Sequence, residues 1–250
     1  MFFLFNSACA YVLVTSKPVY MLVAPLMKNI DDVKILTSGH GCSHSYNLKF
    51  SDTQKVGNAR LSVWMGQKHE TVFAPLILKG KKVLSVFDRS NSFEWLSPKR
   101  MLIYVELLSD QILKTYPEKE KILRANAEEF LKMLKGLDVE VEKTKISRPL
   151  ITTYPFLDAF AKDYGLEVKF SLAQVPSHAL SLSQQAKLKQ NSSAALLSDK
   201  HLSNASEFSG GCLDTEGVGT PLAENAYEIF IEKILADIVK CCQKQVGEKV

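Results

Sequence analysis

The stretch Leu36–Glu70, LTSGHGCSHSYNLKFSDTQKVGNARLSVWMGQKHE, decides how the rest of the chain is read. It leaves an apolar run, Val33–Leu36, and enters a Gly- and Ser-rich turn that carries His40 and His44. Ser51-Asp52 has the chemistry of a helix N-cap, because a short side-chain oxygen accepts an otherwise unpaired N–H of the first turn. The short helix ends near Gly57-Asn58, and Leu61–Met65 reads as a buried strand. A polar loop held between strand ends is where ligands bind in open α/β sheets. His44, between Ser43 and Ser45 and followed by Tyr46, presents an imidazole with little crowding.

Gly39, His44-Ser45-Tyr46, Leu48, Ser51-Asp52, Ala59, Leu61, Trp64, Gly66 and Glu70 together keep a recognisable spacing. In these residues the chain resembles the metal-binding lobe of the ZnuA/TroA-type solute-binding proteins, the periplasmic or lipid-anchored components of zinc and manganese ABC importers. The match runs without gaps through the whole stretch. The resemblance implies that His44 is a metal ligand, with Ser43 standing where the family has a proline. It also implies an α/β fold of two lobes, each a mostly parallel sheet with flanking helices, joined by a long linker helix.

The whole chain accommodates such a fold. It has 250 residues, 46% of them hydrophobic and 23% charged, enough for a sizeable core. The formal charge is +4, and the lysines are spread along the chain rather than clustered, which gives no footprint for nucleic acid. Met1–Ala10, MFFLFNSACA, is read as a truncated signal peptide ending in the small residues Ala8-Cys9-Ala10, with a first core strand as the alternative. No run is long enough for a permanent membrane-spanning helix. The expected organisation is a signal segment at 1–10, an N-terminal lobe at 11–117, a linker helix at 118–145 and a C-terminal lobe at 146–250.

In the first lobe, Tyr11–Thr15 reads as a strand, Pro18 suits the first turn of a helix, and Pro25 is expected to kink it. Val83–Asp88 is another strand. Ser97-Pro98 is a strong helix start, and Met101, Leu102, Val105, Leu108, Ile112 and Leu113 follow at the three-to-four spacing of a buried stripe. A second stripe, from Ile122 through Leu137, makes the linker helix, with Gly136 its one soft point. Beyond it, Leu150–Tyr154, Val168–Leu172 and Ala194–Leu197 are strands, a helix closes at Gly165, Ser181–Gln190 is helix-capable, and Leu222–Val239 is a terminal amphipathic helix.

The resemblance also supplies the expected ligand positions, and two are altered. Phe93 and Leu157 stand where the family has its second and third histidines, and neither side chain can coordinate a metal. Asp214 stands at the fourth ligand position of zinc-type members and is retained. Zinc takes four N, S or O ligands, so His44 and Asp214 need help. Glu94, beside the lost histidine, can supply it if the local backbone twists, since neighbours in a strand point to opposite faces. His40 and Cys42 share the His44 loop; His69, Glu70, His178 and His201 read as surface or loop groups. Five cysteines include no Cys-x-x-Cys pair, and Cys212 with Cys241 or Cys242 is a candidate disulfide.

The functional expectation is a zinc-binding receptor, with manganese as the other candidate metal, that captures the ion between two lobes and delivers it to the membrane permease of an ABC importer. It would act as a monomer in the periplasm or another extracytoplasmic space. The alternative is a degenerate paralogue that keeps the fold, has lost high-affinity metal binding and acts through protein contacts. An α/β enzyme is disfavoured: the chain has no Gly-x-Ser-x-Gly elbow, phosphate-binding Gly loop or His-Glu-x-x-His helix.

Overall fold

Two sheets repeat one plan in this computed structural model, which describes residues 11–37, 46–88, 93–173, 181–200 and 211–243. The first sheet holds β1 (Val12–Val14), β2 (Val33–Ile35), β3 (Leu61–Trp64) and β4 (Val83–Ser85) in the order β2-β1-β3-β4. The second holds β5 (Leu150–Thr152), β6 (Val168–Ser171), β7 (Ala195–Asp199) and β8 (Gly211–Leu213) in the order β6-β5-β7-β8. Every pairing is parallel. The segment Met1–Ala10, with its expected signal peptide, lies outside the described residues, as do His40, Cys42, His44, His178 and His201.

Strand composition follows position in the sheet. The central strands β1 and β3 are buried along their whole length, whereas the edge strands β2 and β4 are partly exposed. β5 repeats this against β6, and β7 against β8 except at the partly exposed Leu196. A strand covered by helices on both faces has no polar side to alternate with. That is why VLV in β1 is a short continuous apolar run and LIT in β5 is buried throughout, its one polar group, the Thr152 hydroxyl, being hydrogen-bonded to Ser171.

The helices among the described residues are α1 (Lys17–Met27), α2 (Phe50–Asn58), α3 (Ala74–Ile77), α4 (Pro98–Leu113), α5 (Glu120–Lys143), α6 (Asp158–Tyr164), α7 (Leu182–Gln190) and α8 (Ala226–Gln243). Two compact units divide the chain: residues 1–91, 103–132 and 221–227 form the first, and residues 92–102, 133–220 and 228–250 the second. α4, α5 and α8 each contribute to both. α5 buries Leu123, Ala127, Phe130, Leu134, Leu137 and Val141, and its 24 residues correspond to about 36 Å at about 1.5 Å per residue.

Several local expectations shift. α2 begins at Phe50, so Asp52 sits at its third helical position rather than at the cap; its carboxylate accepts the N–H of Lys49 at 2.9 Å. An acidic side chain reaching back from the third position caps the helix from inside. α8 begins at Ala226, leaving Leu222 exposed, and it adds Tyr227, Ile231 and Leu235 to the buried face. Pro25 lies within α1. Cys212, Cys241 and Cys242 are thiols, and the candidate disulfide does not form. Gly211 explains why. A Cβ there would meet the Cys241 Cβ at 2.9 Å, so this face of β8 abuts α8. Cys212, next along the strand, points to the opposite face, where its sulfur lies 3.2 Å from Ser198 Oγ.

Candidate metal centre

In the first unit, β1 has β2 on one side and β3 on the other, so the ends of β1 and β3 open on the crevice where α/β sheets bind ligands. A carboxylate fills this point. Glu70 Oε2 accepts the Thr15 hydroxyl at 2.6 Å, just past β1, and the Met65 N–H at 2.9 Å, just past β3. Gly66 makes the placement feasible: its φ is +116°, and its carbonyl accepts the N–H groups of His69 and Glu70 at 3.2 and 3.0 Å. Glu70 is 1% exposed, which overturns its reading as a surface group. His69 is half-buried, with its ring edge-on to Phe87 at 6.2 Å.

β2 delivers the chain to the loop that carries His44, and both flanks of that loop are tied. The Tyr46 hydroxyl lies 2.9 Å from Asp52 Oδ2 and 3.3 Å from the Leu36 carbonyl. Asp52 is fully buried and also pairs with Lys55 Nζ at 2.9 Å. Burial works to raise the Asp52 carboxyl, but hydrogen bonds from Lys55, Lys49 and Tyr46 outweigh it and hold it below the usual value. The Tyr46 phenol is pushed up to about 12, by burial first and then by the Asp52 carboxylate.

In the second unit the corresponding crevice, between the ends of β5 and β7, is aromatic. Phe93 packs on Trp95 at 4.8 Å between ring centroids, on Tyr154 at 5.7 Å and on Phe156 at 6.5 Å. Leu157 is completely buried, in agreement with packing in place of the family's histidine. The Tyr154 hydroxyl donates to Asp199 Oδ2, and Thr215 Oγ1 donates to the same oxygen at 2.8 Å. Asp214, 3% exposed, accepts the Val218 and Gly219 N–H groups at 2.9 and 2.7 Å, which fix the plane of its carboxylate.

Glu94 starts a single turn of 3₁₀ helix rather than a strand. Its Oε1 takes Arg100 Nη1 at 2.7 Å, and the same guanidinium grips Asp163 with Nε at 2.6 Å and Nη2 at 3.1 Å. Trp95 Nε1 donates to the Thr215 carbonyl at 2.8 Å, so the Glu94-Trp95 and Asp214-Thr215 segments lie side by side. Arg100 and Asp163 escaped sequence reading because nothing local links an arginine to an aspartate 63 residues away. Among the described residues no group of three or more His, Cys, Asp and Glu is arranged to hold a metal. The structure thus brings Asp214 and the neighbourhood of Glu94 together, while His44 lies outside the described residues.

Residues 12–197 match the family described as zinc-uptake complex component A, periplasmic. The chain belongs to that family. Among relatives of this zinc-uptake family, the zinc-binding protein AdcA of Streptococcus pyogenes is 26% identical over 195 residues, covering 62% of this chain and 38% of AdcA. The chain spans half or less of the length of the curated relatives it matches. Its fold is shared with the solute-binding protein FpvC of Pseudomonas aeruginosa in complex with Mn2+, at TM-score 0.76 and 18% identity over 94% of this chain and 98% of FpvC. It is shared also with Zn(II)-bound AdcA of Streptococcus pneumoniae, at TM-score 0.73 and 20% identity over 95% of this chain and 59% of that one.

Proposed function

We propose that this chain captures a divalent metal ion, zinc first and manganese second, and hands it to the membrane permease of an ABC importer in an extracytoplasmic space. It acts by binding rather than by catalysis, as a monomer. His44 and Asp214 are the ligands proposed from the two halves of the chain. Glu94 is a third, on condition that it exchanges its Arg100 contact for the ion.

One observation carries the reading. The stretch that matches the zinc-uptake family, residues 12–197, runs through the whole first sheet and through β5, β6 and most of β7 in the second. Beyond the matched stretch, directly after β8, Asp214 is buried and held by two backbone N–H groups, a preorganised carboxylate. Relatives and fold neighbours that carry zinc or manganese in their names support the choice of metals.

Titration of the metal-stripped protein with zinc and with manganese tests it. Zinc is expected to bind with micromolar or tighter affinity, about −8 kcal/mol or better. His44→Ala and Asp214→Ala are each expected to weaken it by about a hundredfold. Binding of neither metal below about 1 mM, near −4 kcal/mol, would overturn the reading.

A further inference from the structure

Asp214 is the first residue beyond β8, and the bonds that locate it fall into two sets. Its carboxylate is fixed by the turn that follows: Oδ1 accepts the Val218 N–H at 2.9 Å and Oδ2 the Gly219 N–H at 2.7 Å. Only glycine lets the backbone come this close, because a Cβ at Gly219 would meet Oδ2 at 3.1 Å. Its backbone is fixed through the next residue, Thr215. The Thr215 hydroxyl donates to Asp199 Oδ2 at 2.8 Å, and the Thr215 carbonyl accepts the Trp95 indole N–H at 2.8 Å. Thr215, Asp199 and Trp95 are all buried, so water does not compete for either bond. All of these residues belong to the second compact unit.

The bond to Asp199 reaches beyond its neighbours. Asp199 ends β7, in register with Leu213 of β8, and its Oδ2 also accepts the hydroxyl of Tyr154, two residues past β5. One buried carboxylate therefore ties the end of β5 to the residue after Asp214. A buried hydroxyl costs more when its bond is broken than the bond gains when made, so Thr215 is held to Asp199 on one side and to Trp95 on the other. A ligand already in its binding geometry loses no further freedom when the ion arrives, which is how preorganisation raises affinity. We propose that Thr215 is a positioning residue for metal capture: clamped between Asp199 and Trp95, it holds the backbone of Asp214 so that the carboxylate meets the ion in place. This rests on the reading of Asp214 as a metal ligand.

The chain contains its own control. Thr152 is as buried as Thr215 and lies in the same unit, but its hydroxyl pairs with Ser171 Oγ at 2.8 Å, between β5 and β6. Zinc titrations of the full chain should compare the parent with Thr215→Val, Thr215→Ser, Asp199→Asn, Thr152→Val and Asp214→Ala, with a thermal melt of each. Thr215→Val keeps the branched shape and removes the hydroxyl. It is expected to weaken zinc binding about tenfold, 1.4 kcal/mol. Thr215→Ser keeps the hydroxyl and is expected to bind within about twofold of the parent. Asp199→Asn attacks the same bond from its acceptor and should weaken binding in the same direction. Thr152→Val should leave the affinity unchanged at a similar change in melting temperature.

Zinc affinity that depends on Asp214 but ignores Thr215→Val would overturn the positioning role alone; if that variant does not fold, Asp199→Asn decides by the same criterion. Equal losses in Thr215→Val and Thr152→Val would do the same, because they would report general stability rather than positioning. So would a Thr215→Ser variant that binds as weakly as Thr215→Val. Affinity that ignores Asp214→Ala would overturn the underlying reading of the site, and the positioning role with it.

Discussion

The two sheets share a strand order, but they spend their central crevices differently. In the first, one carboxylate, Glu70, spans the ends of β1 and β3 by accepting from Thr15 and Met65. In the second, the ends of β5 and β7 are joined through Tyr154 and Asp199, behind a wall made of Phe93, Trp95 and Phe156. One topology thus supports a polar junction and an aromatic one. The difference teaches that topology fixes where a ligand could sit, while the side chains at the strand ends decide what chemistry is offered there.

The contrast can be broken most forcefully at Leu157. Leu157→His removes a fully buried apolar side chain and puts an imidazole in a position closed to water. Lost burial alone is about 1.5–3 kcal/mol, and a buried ring without partners adds to it. Urea unfolding is expected to show a loss of about 3 kcal/mol with no gain in zinc affinity; unchanged stability would mean that the second crevice tolerates polarity as the first does.

Glu70→Ala attacks the polar junction. It strips the Thr15 hydroxyl and the Met65 N–H of their acceptor, and an unsatisfied buried group costs about 1–3 kcal/mol. A loss of about 2 kcal/mol by urea unfolding is expected. A loss below about 0.5 kcal/mol would show that the two strand ends hold together without the carboxylate.

Phe93→His sharpens the comparison from the opposite direction. Phe93 is half-buried, so the change should cost little stability, and it returns a nitrogen ligand to the turn beside Asp214-Thr215. Zinc affinity measured by titration is expected to rise about tenfold, 1.4 kcal/mol. No rise would place Phe93 outside reach of the ion.

The smallest effect concerns acid. Burial raises the Asp163 carboxyl, but hydrogen bonds from Arg100 and Ser97 overcome this and hold its pKa below the ordinary 3.8. A folded-state value below the unfolded one means that the stabilisation is whole above 3.8 and drains away as the pH falls from there through the folded value. Melting curves run from about pH 5, above the ordinary 3.8, downward into acid should show Asp163→Asn losing less on acidification than the parent. Parallel curves would mean that Asp163 contributes nothing to acid sensitivity.

Much of this architecture is legible in residue order. β1, β3 and β5 are short apolar runs bounded by polar turns, and the α5 stripe is regular enough to identify its buried face. Asp52 misleads because a helix-start aspartate at the third position looks the same in sequence as one at the cap. Glu70 misleads more deeply: Gln67, Lys68 and His69 precede it, and no local signal shows that its carboxylate reaches Thr15, 55 residues earlier. The site itself is legible only as positions. Phe93 and Leu157 can be recognised as unable to bind metal, but the contacts of Phe93 with Tyr154 and Phe156 exist only once the chain has folded.

The hydrogen bond from the Trp95 indole to the Thr215 carbonyl gives the molecule an optical readout of its own. The chain has only two tryptophans, Trp64 within β3 and Trp95, and both are almost completely buried. Trp95 is one peptide away from the backbone of Asp214, so a shift of that aspartate alters the polarity felt by one emitter while Trp64 supplies a steady internal reference. With Trp64→Phe to isolate Trp95, intrinsic fluorescence can follow events at the carboxylate without any label.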